Sequence, residues 1–211
     1  QGLEVEIKPF ISGRLALDAL LGNAVDAATV SDIPVVLAKF QQQKVMMIAT
    51  VSSSEKHVNM LARRDKGIEK PEDLEGKKIA VSPGTSSEYV MRMFFEKYGV
   101  DEVKIIALNP PDMVQAITTG EVDAIFTWQP HIYNAQRQLG KNALVISSKG
   151  TYNHPFMVVV LGDKVLEKQR ELQILVNGLK KADLFMKSNR EESIQIVASK
   201  IGMDAKAIES L

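Results

Sequence analysis

Short β-like runs alternate with amphipathic helical segments along the chain, and this alternation constrains the fold more than any other feature. Leu3–Lys8 alternates strictly between apolar and polar residues, which predicts a half-buried strand. Val25–Val30, Lys44–Val51 and Phe156–Leu161 are further apolar runs of strand length. Strands that alternate with helices usually form a parallel sheet with helices on both faces. We therefore expect an α/β fold built on mostly parallel sheet.

The segment Gly76–Gly99 combines a short strand, a tight loop and a helix. Ile79–Val81 predicts the strand, and Thr85 followed by Glu88 three positions later predicts a capping box at the start of the helix. The free N–H groups and the positive dipole end of such a helix favour an anion. Because Thr85 and Ser86 can also act only as helix caps, this pattern alone leaves a binding and a structural interpretation open.

Two parts of the chain, Ala16–Ala38 and Met113–Ala135, repeat the same order of helix, Gly, strand, turn, Pro and helix. Both contain the tripeptide Val-Asp-Ala, at residues 25–27 and 122–124. The repeat predicts two small α/β lobes of similar build. Ligands of such units bind beyond the carboxyl ends of the strands, so we expect a ligand cleft where the two lobes face each other.

Composition excludes several classes of function. Lys and Arg together number 26 and Asp and Glu together also number 26, so no overall positive field draws in nucleic acid. The chain has no Cys, which excludes disulfides, thiolate metal sites and Cys nucleophiles. The three His residues lack metal-binding spacing, and no nucleophile–base pattern is present. We expect no catalytic residues, no metal and no cofactor.

Three segments carry a resemblance to a known family: TVSSS at 50–54, DLEGKKIAVSPGTSS at 73–87 and PPDMVQAITTGEVDAIFTWQP at 110–130. They resemble periplasmic solute-binding proteins of ABC importers, in the branch that serves aliphatic sulfonates, taurine, nitrate and thiamine-precursor pyrimidines. The resemblance runs over essentially the whole chain. It implies a two-lobed periplasmic-binding-protein-like fold of type II, with each lobe a mostly parallel sheet flanked by helices and the ligand cleft between the lobes.

The resemblance also implies how the chain divides. Lobe 1 is expected over residues 1–64 and 156–211, and lobe 2 over residues 65–155. The hinge is expected at two crossings, near Arg64–Lys70 and Lys149–Pro155. A full member of the family normally has a strand and a helix before Leu3 and further helices after Leu211, so we expect this chain to lack them.

The resemblance implies a set of ligand-facing residues at the loops that follow the strands. The expected set is Ser12, Gly13, Ser31, Asp32, Ser53, Gly84, Thr85, Ser86, Trp128 and Gln129. Trp128 alone can equally be a core residue of lobe 2. We interpret His57, His131 and His154 as surface or loop histidines, with His154, near the hinge, as a minor ligand candidate.

The leading hypothesis is a solute receptor without enzymatic activity. It captures a small anionic or polar solute and delivers it to a membrane permease, as a monomer that is periplasmic or lipid-anchored outside the cytoplasmic membrane. One alternative is a protein that binds a thiamine-precursor pyrimidine, or a biosynthetic enzyme on the same fold, although the yeast-type pyrimidine synthases carry a Cys-rich motif that is absent here. Another is the effector-sensing domain of a LysR-type transcription regulator, which requires an upstream DNA-binding helix-turn-helix.

Overall fold

The computed structural model of the protein describes residues 2–209. The helices are α1 (Gly13–Leu21), α2 (Asp32–Phe40), α3 (Ser86–Tyr98), α4 (Pro110–Thr119), α5 (His131–Leu139), α6 (Gly162–Glu167), α7 (Gln169–Ser188), α8 (Arg190–Ile201) and α9 (Ala205–Glu209). The strands are β1 (Ala28–Ser31), β2 (Val45–Ser54), β3 (Val58–Arg63), β4 (Lys78–Val81), β5 (Lys104–Ala107), β6 (Ala124–Trp128), β7 (Ala143–Ser147) and β8 (His154–Leu161). Short 3-10 helices cover Arg64–Lys66, Pro71–Leu74 and Gly140–Asn142.

The chain forms two compact units. Pro9–Gly162 is the larger unit and holds all eight strands and every residue of the expected ligand-facing set. The other unit consists of the described residues of Gln1–Lys8 and Asp163–Leu211, and its long helix α7 exposes several apolar side chains, including Leu184. Among the described helices, none is both long and apolar enough to cross a membrane.

The smaller sheet of the larger unit has the strand order β1-β8-β2 and is antiparallel throughout. It differs from the mostly parallel sheet expected for each lobe, because β8 runs back between two strands that come much earlier in the chain, with Ser54 pairing with His154 and Ala28 with Val159. Periodicity predicts a strand but not its direction. On one face of this sheet Leu17 and Leu20 of α1 and Ala38 of α2 pack against Val30 and Val159.

The larger sheet has the order β5-β4-β6-β3-β7. The strands β5, β4 and β6 are parallel, whereas β3 pairs antiparallel with β6 and β7. Alternate residues of the central strands point to opposite faces. Val81 and Phe126 therefore pack with α3 on one face, while Ala80 and Ile125 pack with α4 and α5 on the other. Both faces are covered, and this explains why β6 is apolar almost without interruption.

Several local expectations are corrected by the structure. Leu3–Lys8 does not form a strand, because alternation supplies a pattern but not the partner strand that a ladder needs. The serines at 52–54 belong to β2 and not to a loop, since each pairs with a residue of β8. Helix α4 begins at Pro110, three residues earlier than expected, because its two prolines occupy the first turn, where no N–H is needed.

The chain crosses between the two sheets at residues 55–57, from β2 to β3, and at residues 148–153, from β7 to β8. The first crossing lies before the expected Arg64–Lys70, because β3 is already paired within the larger sheet. Accordingly β3, which we expected in lobe 1, lies in the sheet assigned to lobe 2. His154 and Pro155 lie in the other sheet, although we expected them in lobe 2. The outer limits of the expected ranges, residue 1 and residues 210–211, lie outside the described residues.

Candidate functional site

The candidate site lies where the carboxyl ends of strands from both sheets meet the starts of helices. Strand β1 ends at Ser31, which directly precedes α2. Strand β4 ends at Val81, and a four-residue loop then leads to α3. Polar groups that follow the carboxyl ends of strands are the usual ligand contacts of α/β units. Ser31 and Asp32 lie at the first of these strand ends, and Gly84, Thr85 and Ser86 follow the second, as the sequence analysis expects of residues in loops after strands.

A hydrogen bond between two buried serines joins the two sides of the site. The Ser86 hydroxyl donates to the Ser31 hydroxyl oxygen at 2.7 Å, and the two residues are only 4% and 8% exposed. Ser31 is the N-cap residue of α2 and Ser86 the first residue of α3, so the positive ends of two helix dipoles converge here. Neither helix has a side-chain cap hydrogen bond from its N-cap residue.

Arg14 adds a guanidinium group that the sequence analysis did not identify. Its Nη1 atom donates to the Pro83 carbonyl oxygen at 3.0 Å, linking the first turn of α1 to the loop before α3. A Cβ atom on Gly84 would lie 1.8 Å from this Nη1, so only glycine permits the approach. Gly84 also has φ of +66°, in the left-handed region. Nothing in the sequence marks Arg14, because it lies 69 positions from Pro83.

The expected capping box is wrong in its details. Thr85 does not cap α3, because its hydroxyl donates to the Ser82 carbonyl oxygen at 2.7 Å and lies 2.7 Å from the Ser87 hydroxyl. The Glu88 carboxylate accepts the Gly84 N–H at 2.8 Å and binds the Arg92 guanidinium at 2.7 Å. Burial alone would raise the pKa of Glu88, but the Gly84 N–H and the Arg92 and Arg14 guanidinium groups outweigh burial and lower it. Glu88 is therefore ionised close to the helix start.

Asp32 contacts an aromatic side chain from the second crossing. One carboxylate oxygen accepts the Tyr152 hydroxyl, and the other accepts the Ile33 N–H at 2.9 Å. Burial, the hydrogen bond to Asp32 and the Asp32 charge raise the pKa of Tyr152 to about 12. The Tyr89 ring lies edge-on to the Tyr152 ring, with 5.0 Å between centroids. Asp32 thus places a negative charge near the serine pair, beside aromatic rings.

Trp128 is the last residue of β6 and is half-buried. Its indole stacks on His57 with 6.1 Å between ring centroids and 12° between planes, and it contacts His131 edge-on at 6.2 Å. The neighbouring Gln129 accepts the Tyr133 N–H at 3.0 Å and so holds the start of α5. Trp128 therefore belongs to an aromatic cluster at the carboxyl edge of the larger sheet.

Two imidazoles lie at the crossings between the sheets. His57 is in the first crossing and His154 begins β8, and their rings meet edge to face at 4.8 Å. Burial, followed by the charge of His154, lowers the pKa of His57 to about 4. Burial also lowers the pKa of His154, against the opposing charge of Asp32. Both rings are therefore neutral at pH 7. Sequence reasoning treated His57 as a loop residue, because its partner lies 97 positions away, by 154 − 57.

Other members of the expected set have local roles. Ser12 caps α1 by accepting the Leu15 N–H at 3.3 Å. A Cβ atom on Gly13 would lie 3.1 Å from the Val30 Cα, so this glycine allows α1 to pack closely on β1. Ser53 is exposed and donates to the Asn153 side-chain oxygen at 2.8 Å. The ligand-facing role of the set stays a prediction.

The groups that favour an anion at this place are the N–H groups of two helix starts and the Arg14 guanidinium group. They lie beside the carboxylates of Asp32 and Glu88. Within residues 2–209, no group of three or more His, Cys, Asp or Glu side chains is arranged to hold a metal ion.

Comparison with known proteins gives one family match. The model of the family described as NMT1/THI5 like matches residues 1–193 of this chain. The taurine-binding periplasmic protein of Escherichia coli (strain K12) is 28% identical over 174 residues, covering 81% of this chain and 53% of the relative. Across the curated relatives that it matches, the chain spans 53–66% of their length.

Solved structures with the same fold include two sulfonate-binding proteins. The alkanesulfonate-binding protein from Xanthomonas axonopodis pv. citri, bound to MOPS, has a TM-score of 0.84 at 22% identity, covering 95% of this chain and 70% of that one. The periplasmic aliphatic sulphonate binding protein from Escherichia coli has a TM-score of 0.77 at 24% identity, covering 95% and 69% respectively. These similarities confirm the expected two-lobed α/β fold.

Proposed function

The chain belongs to the NMT1/THI5-like family, and on this basis we propose that it is the solute-binding component of an ABC-type importer. It captures a small anion, of which an aliphatic sulfonate is the best-supported class, and delivers it to a permease in the membrane. The relatives that support this proposal are named as binding proteins for taurine and for aliphatic sulfonates. The protein acts by binding and not by catalysis, as a monomer outside the cytoplasmic membrane.

The observation that carries the proposal is the hydrogen bond from Ser86 to Ser31. It brings together two helix starts from the two sheets, with Arg14 close by at Pro83. A sulfonate has three oxygens that accept hydrogen bonds, and convergent N–H and hydroxyl donors satisfy them without a full counter-charge on every side. In the proposed lobes, residues 9–57 with 154–162, which carry the smaller sheet, face residues 58–153, which carry the larger sheet.

Binding is tested by calorimetry with ethanesulfonate, taurine, nitrate and sulfate. We expect saturable binding of at least one sulfonate, accompanied by a change in the fluorescence of Trp128, the single Trp of the chain. Arg14→Gln should weaken that binding by about tenfold, the usual worth of a hydrogen bond to a charged group at a partly exposed site.

Lys104→Gln is the matched control. It removes the same charge from an exposed residue at the start of β5, which pairs with the start of β4 and so lies at the other end of these parallel strands from the site, and we expect unchanged affinity. Absence of binding to every sulfonate would refute the proposed function. Equal losses in the two variants would refute the place given to Arg14, because they would indicate only a general effect of charge.

A further inference from the structure

His154 is a buried polar side chain that the proposed anion site does not use. It is 3% exposed, and neither its Nδ1 nor its Nε2 atom has a hydrogen-bond partner among the described residues. Most buried polar atoms in proteins are paired, because an unpaired group loses its hydration without compensation. Two unpaired nitrogens on one ring therefore call for a physical reason.

The position of His154 places it within the candidate site. It pairs with Ser54 at the carboxyl end of β2, two residues before the Phe156 that pairs with Ser31. Its ring stacks on Tyr152 with 5.9 Å between centroids and 26° between planes. Its other ring neighbour is His57, at 4.8 Å.

Tyr152 and His57 connect His154 to two members of the expected ligand-facing set, Asp32 and Trp128. The Tyr152 hydroxyl donates to Asp32, and the His57 ring stacks on Trp128. A continuous series of contacts therefore runs from the carboxylate to the indole, and His154 lies in its middle. The series is aromatic except at Asp32, so it suits the organic part of a ligand better than its anionic group.

The chemistry at His154 favours a donor on the ligand. Because burial lowers the pKa of this imidazole, the ring is neutral at pH 7 and one nitrogen carries a lone pair. The Asp32 carboxylate, one contact away, is a second acceptor. The Asp32 charge repels an anion, and the lone pairs of both groups accept a hydrogen bond from a hydroxyl or amino group.

We propose that His154 is a specificity-determining residue that accepts a hydrogen bond from a hydroxyl or amino group on the ligand, separate from its anionic group. This inference rests on the proposed function. It predicts that simple alkyl sulfonates are poorer ligands than sulfonates with a polar substituent, because only the latter pair the imidazole.

The test uses two sulfonates of nearly equal shape, propanesulfonate and isethionate, in which a hydroxyl replaces the terminal methyl group. We expect calorimetry on the unmodified protein to show about tenfold tighter binding of isethionate, as is usual for one hydrogen bond to an otherwise unpaired buried group. His154→Phe keeps an aromatic ring against Tyr152 and should abolish this preference while retaining affinity for propanesulfonate. His131→Phe, the matched control, also removes an imidazole that touches Trp128, but its nitrogens are not among the buried unpaired atoms, so it should keep the preference.

Each outcome bears on a different proposal. A preference for isethionate that persists in His154→Phe overturns the inference. Equal binding of the two sulfonates to the unmodified protein also overturns it, but leaves the proposed function intact. If neither sulfonate binds, the inference is overturned, and the proposed function is refuted as well only if taurine and ethanesulfonate also fail to bind. Should His154→Phe fail to fold, NMR of the imidazole nitrogens in the unmodified protein decides. Isethionate, but not propanesulfonate, should shift the His154 resonances, and equal shifts overturn the inference.

Discussion

Acidification should destabilise this protein through His57, one of the two imidazoles at the crossings. Burial, followed by the charge of His154, lowers the pKa of His57 from 6.5 to about 4 in the folded protein. In the unfolded chain the same group titrates near its ordinary value. Between the two values the unfolded state binds the proton and the folded state does not. Stability that is present above pH 6.5 is therefore lost progressively as the pH falls toward about 4.

The magnitude follows from the size of this shift. The difference between 6.5 and about 4 corresponds to a full loss of about 3 kcal/mol, at about 1.36 kcal/mol for each pH unit. At about pH 5 the unfolded imidazole is protonated and the folded one is still mostly neutral, so about 2 kcal/mol of the unfolding free energy is lost. Burial also lowers the pKa of His154, so this group adds a further loss of unfolding free energy as the pH falls.

Urea unfolding, followed by Trp128 fluorescence, measures the effect at about pH 7.5 and about pH 5. His57→Phe keeps an aromatic ring against the indole and removes the titrating group. The unmodified protein should lose about 2 kcal/mol more than the variant between the two pH values. Carboxylates contribute equally to both proteins and cancel in the comparison. If the two proteins lose the same stability, the reasoning is refuted, because His57 would then titrate alike in the folded and unfolded states.

Two further predictions concern the anion site. Ser31→Ala and Ser86→Ala should each lower the unfolding free energy by about 1–3 kcal/mol, because each leaves a buried hydroxyl unpaired. The double variant should lose clearly less than the sum of the two. Strict additivity in urea unfolding would contradict the hydrogen bond between them. Gly84→Ala and its control Gly99→Ala should each cost about 1 kcal/mol, because both glycines have positive φ. Only Gly84→Ala should also weaken sulfonate binding, because its Cβ displaces Arg14 whereas that of Gly99 meets nothing within 4 Å. Equal sulfonate affinities of Gly84→Ala and Gly99→Ala would show that sulfonate binding does not depend on the position of the Arg14 guanidinium group.

The order of strands and helices, and the start of α3, follow from local patterns. Apolar periodicity placed β4, and the loop Ser82–Gly84 with the hydroxyl residues after it located the helix start to within one residue. Such features depend on neighbours a few positions apart, which the sequence displays directly. Strand direction depends instead on distant partners. Periodicity therefore could not predict that β8 is antiparallel or that the chain crosses to the larger sheet before β3.

Most of the side-chain chemistry of the candidate site depends on contacts between distant positions. Tyr152 meets Asp32 across 120 positions, and Ser86 meets Ser31 across 55. A histidine beside a turn looks the same in sequence whether its ring is solvated or buried, so the burial of His57 and His154 left no local mark. Thr85 was correctly placed at the helix start, but the partner of its hydroxyl depends on how the loop folds back.

The two crossings also determine how the sheets can move. The two short connections define a hinge axis, and rotation of one sheet about this axis strains neither connection. Residues at this axis, such as His57 and His154, change their surroundings least during such a rotation. We therefore expect such a rotation to break the contacts that bridge the sheets away from the crossings, such as the hydrogen bond from Ser86 to Ser31.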